Sequence, residues 1–383
     1  MTTDLVRSAG EGSAVGQSRL SGPLSVLFAT TNHLPYVGGA EFSTHHLATS
    51  LTGRGHDVVV LTGLTRRSLR GLVDFSAATV KRAPVSHADG RLGYLTVRSI
   101  RPLDALKSHV RDFRPHVVVV TGSDPGFAVP ALAISESYPS ILYVRIGASA
   151  QFIGDVRHAD LVIANSNAVA TSIKGFGRDA AFLPSVFPPE VYRVPTSRDK
   201  VLFVNPIPKK GVHIAMSLAA ARPDIPFVFN LSWRMRSSEL RRLRRAVRRL
   251  GNVEVRSATT RPEQLYRDCR LVLVPSQWPE AWCRIVSEAQ INAIPALASN
   301  VAGLPESVGP GGILVDPKDS RRAWLKALSE AWDDGIRYKE LSRRALVHSQ
   351  RPELSVPLVV DRFELLLKRA IEEHARCTKI QPV

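Results

Sequence analysis

Two parallel, doubly wound α/β sheets joined once are what this sequence predicts, on three observations. Short runs rich in Val, Ile and Leu recur without the in/out alternation of a half-exposed strand, so they read as strands buried on both faces. Segments with helical spacing lie between them, and strand, helix, strand repeated in this way builds a parallel sheet. The alternation stops once, at a Pro-rich polar stretch, and then restarts.

The first series places strands at Ser25–Thr30, Asp57–Thr62, His116–Thr121, Ile141–Arg145 and Asp160–Asn165. Helical spacing predicts helices over Glu41–Gly53, Leu103–Phe113, Val129–Ser137 and Ala168–Phe176. Phe187–Lys200 (FPPEVYRVPTSRDK) is too polar and Pro-rich for either and reads as a linker. Beyond it, strands are expected at Val201–Asn205, Phe227–Leu231, Val253–Arg256, Leu271–Pro275 and Ala296–Ser299. Helices fill Val212–Ala221, Ser238–Leu250, Pro262–Asp268 and Arg284–Asn292, and a long amphipathic helix spans Leu358–His374. The expected division is a flexible tail over 1–22, one Rossmann-like domain over 23–190, a second over 191–356, and a terminal helix and tail over 357–383. Two such sheets leave a cleft between them, where a ligand would bind.

Composition bounds the chemistry. The 383 residues are 44% hydrophobic and 22% charged, which excludes disorder, collagen and coiled coil. A net charge of +17 draws anions, including phosphorylated ligands and acidic membrane surfaces. Three scattered cysteines, Cys269, Cys283 and Cys377, offer neither a disulfide framework nor a zinc site. Residues 1–22 lack the apolar stretch of a signal peptide, and no run approaches the roughly 18–20 apolar residues of a membrane span. The expectation is a cytoplasmic protein, soluble or peripheral at the inner face of a membrane.

Four segments carry candidate chemistry. The first βα turn runs Thr31-Asn32-His33-Leu34-Pro35-Tyr36-Val37-Gly38-Gly39-Ala40-Glu41. A Gly pair opening a helix either lets backbone N–H groups approach a phosphate or simply serves a tight turn, and both readings stand. The dinucleotide pattern G-x-G-x-x-G is absent. The second domain opens with Asn205-Pro206-Ile207-Pro208-Lys209-Lys210-Gly211, where a Lys beside a helix start suits a diphosphate, although a lone Lys is usually solvated. In Val274–Glu306, Glu280 and Glu288 are eight residues apart. In one helix they would be about 12 Å apart; the better reading puts Glu280 in a loop and Glu288 two turns into the next helix. The amides of Ala281, Trp282, Cys283 and Arg284 then face the cleft, with Ile285 just behind. Finally, Arg234–Leu250 places Leu240, Leu243, Val247 and Leu250 on one helix face. Arg241, Arg242, Arg244, Arg245, Arg248 and Arg249 form the other, a solvated face or an acidic-membrane contact. No nucleic-acid reader motif accompanies them.

In this order and context the chain resembles the retaining glycosyltransferases of the GT-B fold, family 4 (glycosyl transferases group 1). The matching stretches are Gly38-Gly39-Ala40-Glu41, Lys210-Gly211, Pro275-Ser276, the pair Glu280 and Glu288, and Gly303-Leu304-Pro305-Glu306. The resemblance implies transfer of a sugar from a nucleoside diphosphate to an acceptor with retention, and it implies no metal. It implies that Glu280 lies by the anomeric carbon, Glu288 on the donor ribose and Lys210 on the diphosphate, with Gly39 approaching from the other domain. Glu280 and Lys210 are thus the catalytic candidates. Gly38, Gly39, Asn205, Lys209, Ala281, Trp282, Cys283, Arg284, Ile285 and Glu288 are donor-binding candidates. His33 and Arg145 are candidates for the acceptor or phosphate side. The chain departs from the family pattern at Asn205-Pro206, where a Gly-Arg turn is usual and Lys209 would substitute. It departs again at Cys283 and Ala293, in place of Gly, and at Arg145-Ile146, in place of His-Asp. An epimerase or hydrolase of nucleotide sugars on the same fold, and a catalytically silent basic binding protein, are the rival readings.

Overall fold

A computed structural model of the chain describes residues 22–64, 73, 75–76, 86–121, 124–145, 159–233 and 235–380. The expected tail (apart from Gly22), Ile146 and Arg234 lie outside them. The described strands form two sheets. The first contains β1 (Ser25–Thr30), β2 (Asp57–Gly63), β3 (Ser86–Asp89), β4 (Leu95–Ser99), β5 (Val117–Thr121), β6 (Ser140–Val144), β7 (Leu161–Ala164) and β8 (Ala181–Phe182), in the order β3-β4-β2-β1-β5-β6-β7-β8. The second contains β9 (Lys200–Val204), β10 (Phe227–Asn230), β11 (Val253–Arg256), β12 (Cys269–Val274), β13 (Ala296–Ser299) and β14 (Gly312–Val315), in the order β11-β10-β9-β12-β13-β14.

Every pairing is parallel except β3 with β4. The continuous apolar runs are explained by burial on both faces: all of Val117–Val120 and Ile141–Val144 is buried. Leu27 and Val118 face one core while Val26 and Val117 face another, so successive residues serve opposite helical layers. In each sheet the strand order reverses beside the first strand, between β1 and β5 and between β9 and β12. Ligand crevices form outside the carboxyl ends at such points.

The terminal helix is longer than expected, Val356–Ile380, and it belongs to the first sheet's core. Phe363 stacks on Phe28, ring centroids 6.1 Å apart, and packs on Tyr143. Arg54 clamps the same helix through Asp361 at 2.6 Å and Glu364 at 3.0 Å. The chain therefore crosses between the two sheets twice.

Several elements had no expectation. The β3–β4 ribbon escapes a search for apolar runs because Leu95–Ser99 (LTVRS) mixes polar residues into its pattern. β14 follows a Gly-Pro-Gly turn and sits against β13 so closely that a Cβ on Gly312 would lie 2.3 Å from the Ala296 carbonyl oxygen. The stretch expected to be a linker holds a short helix, Pro189–Tyr192, and buries both Phe187 and Tyr192.

Candidate active site

A cleft of about 350 Å³ lies between the two sheets, walled by Gly38–Phe42 and Arg145 on one side and by Lys209, Lys210, Trp233 and Glu280–Glu288 residues on the other. Two glycines set the second wall. Gly211 has φ +79°, and a Cβ there would lie 1.9 Å from the Pro275 carbonyl oxygen, so only Gly lets the lysine turn press against the end of β12. Gly303 is equally constrained: its added Cβ would lie 1.9 Å from the Ala281 carbonyl oxygen, and its N–H donates to the Glu280 carbonyl at 2.8 Å.

These approaches bring Lys210 and Glu280 into contact. Lys210 Nζ pairs with Glu280 Oε1, and Ser276 Oγ donates to the same oxygen at 2.7 Å. Glu280 is 8% exposed, and its carboxylate does not cap the following helix, whose N-cap Cys283 also makes no side-chain cap bond. Lys209 Nζ lies 5.1 Å from the ring centroids of both Trp233 and Trp278, which flank it as cation–π partners. The amides of Ala281, Trp282 and Cys283 donate to no protein acceptor among the described residues.

Glu288 sits, as its spacing suggested, in the helix Arg284–Gln290. Its Oε2 accepts from the Tyr266 hydroxyl at 2.7 Å and its Oε1 from Arg284 Nε at 3.0 Å. Burial raises its pKa above the usual carboxylate range, and Arg284 and Tyr266 partly offset that rise. Arg284 reaches further than its backbone position implied. Its Nη1 donates to Ser43 Oγ at 2.9 Å and to the Val186 carbonyl at 3.1 Å, and its Nη2 to the Tyr192 hydroxyl at 2.9 Å. A Cβ on Gly39 would approach Arg284 Cδ at 3.3 Å, so this glycine makes room for the arginine that joins the two domains.

Not every candidate faces the cleft chemically. His33 is 2% exposed, its Nε2 bonds the Tyr94 hydroxyl at 2.7 Å, and it is not part of the cleft wall. Burial and the nearby arginines, Arg98 foremost, push its pKa down to about 3, so its imidazole is neutral and buried behind the wall. Asn205 lies at the wall with φ +61°, but its Oδ1 accepts from the amides of Ser232 and Trp233 at 3.1 and 2.7 Å. That side chain shapes the turn carrying Trp233. The Trp282 ring packs with Phe187, Tyr192 and Leu354, its Nε1 donating to Ser287 at 3.0 Å. Cys283 is a buried thiol whose pKa burial pushes up to about 12, unsuited to nucleophilic work. Ile285 is half-buried at the wall. Gly38, at φ −162°, has extended backbone, and the Glu41 carboxylate folds over it.

Sequence reasoning missed Trp233 and Trp278, because an aromatic residue in a loop carries no spacing signal, and Tyr266, because nothing in its short helix Pro262–Tyr266 says that its hydroxyl meets Glu288. It also left Glu41 and Glu306 without roles. Burial raises the Glu41 carboxyl to about 7, with Arg145 opposing. Glu306 accepts from the Asn167 amide at 2.8 Å, Asn167 Nδ2 at 3.0 Å and the Ala168 amide at 2.8 Å, a second bridge between domains. No helix of the described residues is long and apolar enough to cross a membrane.

Comparison with known proteins agrees with this architecture. Residues 37–183 match the family model described as Glycosyltransferase Family 4, and residues 189–347 match that described as Glycosyl transferases group 1. The chain is 29% identical over 153 residues to D-inositol 3-phosphate glycosyltransferase of Paenarthrobacter aurescens, covering 37% of this chain and 36% of that protein. It is 26% identical over 208 residues to an exopolysaccharide phosphotransferase of Streptomyces coelicolor, covering 51% of this chain and 21% of the relative. The chain thus spans about a third and a fifth of the lengths of these curated relatives. Among solved structures, HepE of Anabaena in complex with UDP superposes with a TM-score of 0.68 at 19% identity, covering 90% of this chain and 100% of that one. Sucrose-phosphate synthase of Thermosynechococcus elongatus gives 0.70 at 16% identity, covering 91% and 99%. These likenesses show the fold, two facing parallel-sheet domains of the GT-B type. With family models on both domains and this fold between them, the chain belongs to the group 1, family 4 glycosyltransferases.

Proposed function

We propose that the protein transfers a sugar from a nucleoside diphosphate to an acceptor with retention of configuration. The observation that carries this reading is the wall in which Lys210 and Lys209, the amides of Ala281 to Cys283, Glu280 and Glu288 share one cleft. In this reading Glu288 holds the donor ribose and Lys209 and Lys210 hold the diphosphate. Lys210 must leave Glu280 at least in part to do so, and the freed Glu280 carboxylate then faces the reacting sugar. Positive charge developing at the anomeric carbon is stabilised by that carboxylate, while the lysines and amides stabilise the leaving phosphate. The reading uses no metal and no covalent carboxylate intermediate. The first domain supplies the acceptor pocket, and the bridges made by Arg284 and Glu306 keep the two walls together so that water is excluded. The related HepE was solved with UDP, which makes a uridine nucleotide the first donor to try.

Melting curves against UDP-, GDP-, TDP- and ADP-sugars test donor binding, because a ligand that binds only the folded state raises the melting temperature by mass action. Release of nucleoside diphosphate is then followed with and without sugar acceptors. Acceptor-dependent release is the expected result. Release that ignores the acceptor would make the protein a hydrolase or epimerase, and no release at all would make it a binding protein.

We also assign the protein to the cytoplasmic face of an acidic membrane, through the helix Ser237–Arg248. Leu243 and Val247 anchor it to the sheet, and Arg241, Arg242, Arg244, Arg245, Arg248 and Arg249 are exposed. Each such charge contributes about 1 kcal/mol near an anionic surface. Wild-type protein should sediment with anionic vesicles at low salt, and the triple change of Arg241, Arg245 and Arg248 to Ser should abolish it.

A further inference from the structure

Arg145 is a buried cation of the cleft that the proposed reaction leaves without work. It follows β6, is 9% exposed, and forms part of the cleft wall. Its Nη1 donates to the Ala40 carbonyl and to Thr44 Oγ1, both at 2.7 Å, and its guanidinium carbon lies 4.0 Å from the Tyr143 ring centroid. Its Nε and Nη2 are buried and have no hydrogen-bond partner among the described residues. The other buried cations here are matched: Lys210 by Glu280 and Arg284 by Glu288. No carboxylate among the described residues lies within ion-pair distance of Arg145.

Burying a guanidinium with two nitrogens unsatisfied is costly, and such a group persists where a ligand completes it. Arg145 Nη1 is tied to the helix that begins at Gly39, which holds the guanidinium in place. The Tyr143 ring covers the guanidinium, and Arg145 lines the cleft, where a planar or tetrahedral anion would meet it. Glu41 matches only part of the charge near neutral pH, since burial raises its carboxyl to about 7. The donor diphosphate already has Lys209 and Lys210 on the opposite domain, so the group that completes Arg145 is a different one.

We propose that Arg145 binds a second anionic group of the substrates, a carboxylate or phosphate monoester separate from the donor diphosphate. This inference rests on the glycosyl-transfer reading. Two sources share that chemistry: a transferred hexuronate, with its carboxylate on the sugar, or a phosphorylated acceptor.

Calorimetry on the full chain compares two pairs of probes, UDP-glucuronate against UDP-glucose, and glucose 6-phosphate against glucose in the presence of UDP. Each pair is read as a ratio, so a preference for another base cancels. At least a ten-fold preference for the anionic member of one pair is expected, and the pair that shows it identifies the source. Arg145→Met should bring that ratio to near one while leaving UDP affinity within two-fold. Arg145→Lys, which keeps the charge and guards against a folding defect in the first variant, should retain part of the preference. Equal binding within both pairs by the wild type, or a preference that survives in Arg145→Met, overturns the proposal. Failure of the underlying reading looks different: no nucleoside diphosphate would then bind wild-type protein at all.

Discussion

Lys210 Nζ and Glu280 Oε1 meet as an ion pair on the cleft wall, one from the turn after β9 and the other from the loop after β12, seventy residues apart in the chain. Their side chains are 17% and 11% exposed, so the pair is mostly removed from water. Seen from the sequence, the two residues had separate tasks, phosphate and sugar. Their contact makes each the other's partner, and in the proposed reaction it couples donor binding to the state of Glu280.

That coupling changes what Lys210→Ala should do. A charge-assisted bond to phosphate is worth about 1.5–3 kcal/mol, which is roughly a ten- to hundred-fold loss of nucleoside diphosphate affinity. The variant also strands a mostly buried carboxylate that keeps only its bond from Ser276. Melting should therefore fall, by the equivalent of about 1–3 kcal/mol once solvent screening is allowed for. Adding Glu280→Gln removes the stranded charge and should restore much of the stability without restoring affinity. A double variant no more stable than Lys210→Ala would show that the pair contributes nothing to folding.

Glu41 predicts a pH dependence. Its carboxyl is raised from 4.5 to about 7 by burial, so the folded protein holds a proton there that the unfolded chain has released. Between those values the native state binds more protons, and stability falls as pH rises through about 7. At about 1.4 kcal/mol per unit the loss approaches ~3 kcal/mol as an upper bound. Glu41→Gln should flatten melting temperature against pH between 5 and 8, and should melt above the wild type at pH 8. Parallel profiles for the two proteins would sink this assignment.

The double sheet was legible because its evidence is local: β1, β11 and β13 fall where their apolar runs begin and end. The helix over Val212–Ala221 is likewise read from its own residues. What stayed hidden depends on partners far away in sequence. The terminal helix looked amphipathic, but nothing in its residues says that Phe363 seats against Phe28. Likewise Arg284 is read from sequence as one backbone amide among several, while its side chain spans to Ser43. The positions Glu280, Glu288 and Lys210 were legible through motif order, whereas the contact between Lys210 and Glu280 required the approach that Gly211 permits.

Glu306 should act on the domain contact and not on donor chemistry. Its carboxylate caps the helix Asn167–Lys174 from the opposite domain, with both backbone bonds at 2.8 Å. Loss of a cap costs about 1 kcal/mol. In Glu306→Ala, the amides of Asn167 and Ala168 should exchange with solvent several-fold faster, while nucleotide affinity stays near the wild-type value. Unchanged exchange at those two amides would mean that Ser166, which caps Val169 at 3.1 Å, already holds that helix end.

The two glutamates separate kinetically. Glu288 is fixed by Tyr266 and Arg284 before any ligand binds, so a ribose would meet the same carboxylate in the ground and transition states. Its loss should raise KM more than it lowers kcat. Replacing it also frees Arg284, which is buried and tied to Ser43 and Tyr192, so Glu288→Gln is the variant to use: it keeps an acceptor for Arg284 Nε. Glu280 is different, because its carboxylate bonds Lys210, and in the proposed reaction donor binding draws that lysine away and releases the charge when the sugar is in place. Glu280→Gln keeps the shape and an acceptor for Ser276, removes the charge, and should lower kcat by ~100-fold while nucleotide binding survives. A purely structural Glu280 would behave otherwise, with an earlier melt and wild-type turnover. Steady-state kinetics on both variants, alongside nucleotide binding, tells these apart: a kcat defect in Glu280→Gln with a KM defect in Glu288→Gln is the expected pattern, and equal defects in both parameters for both variants would refute the division of roles.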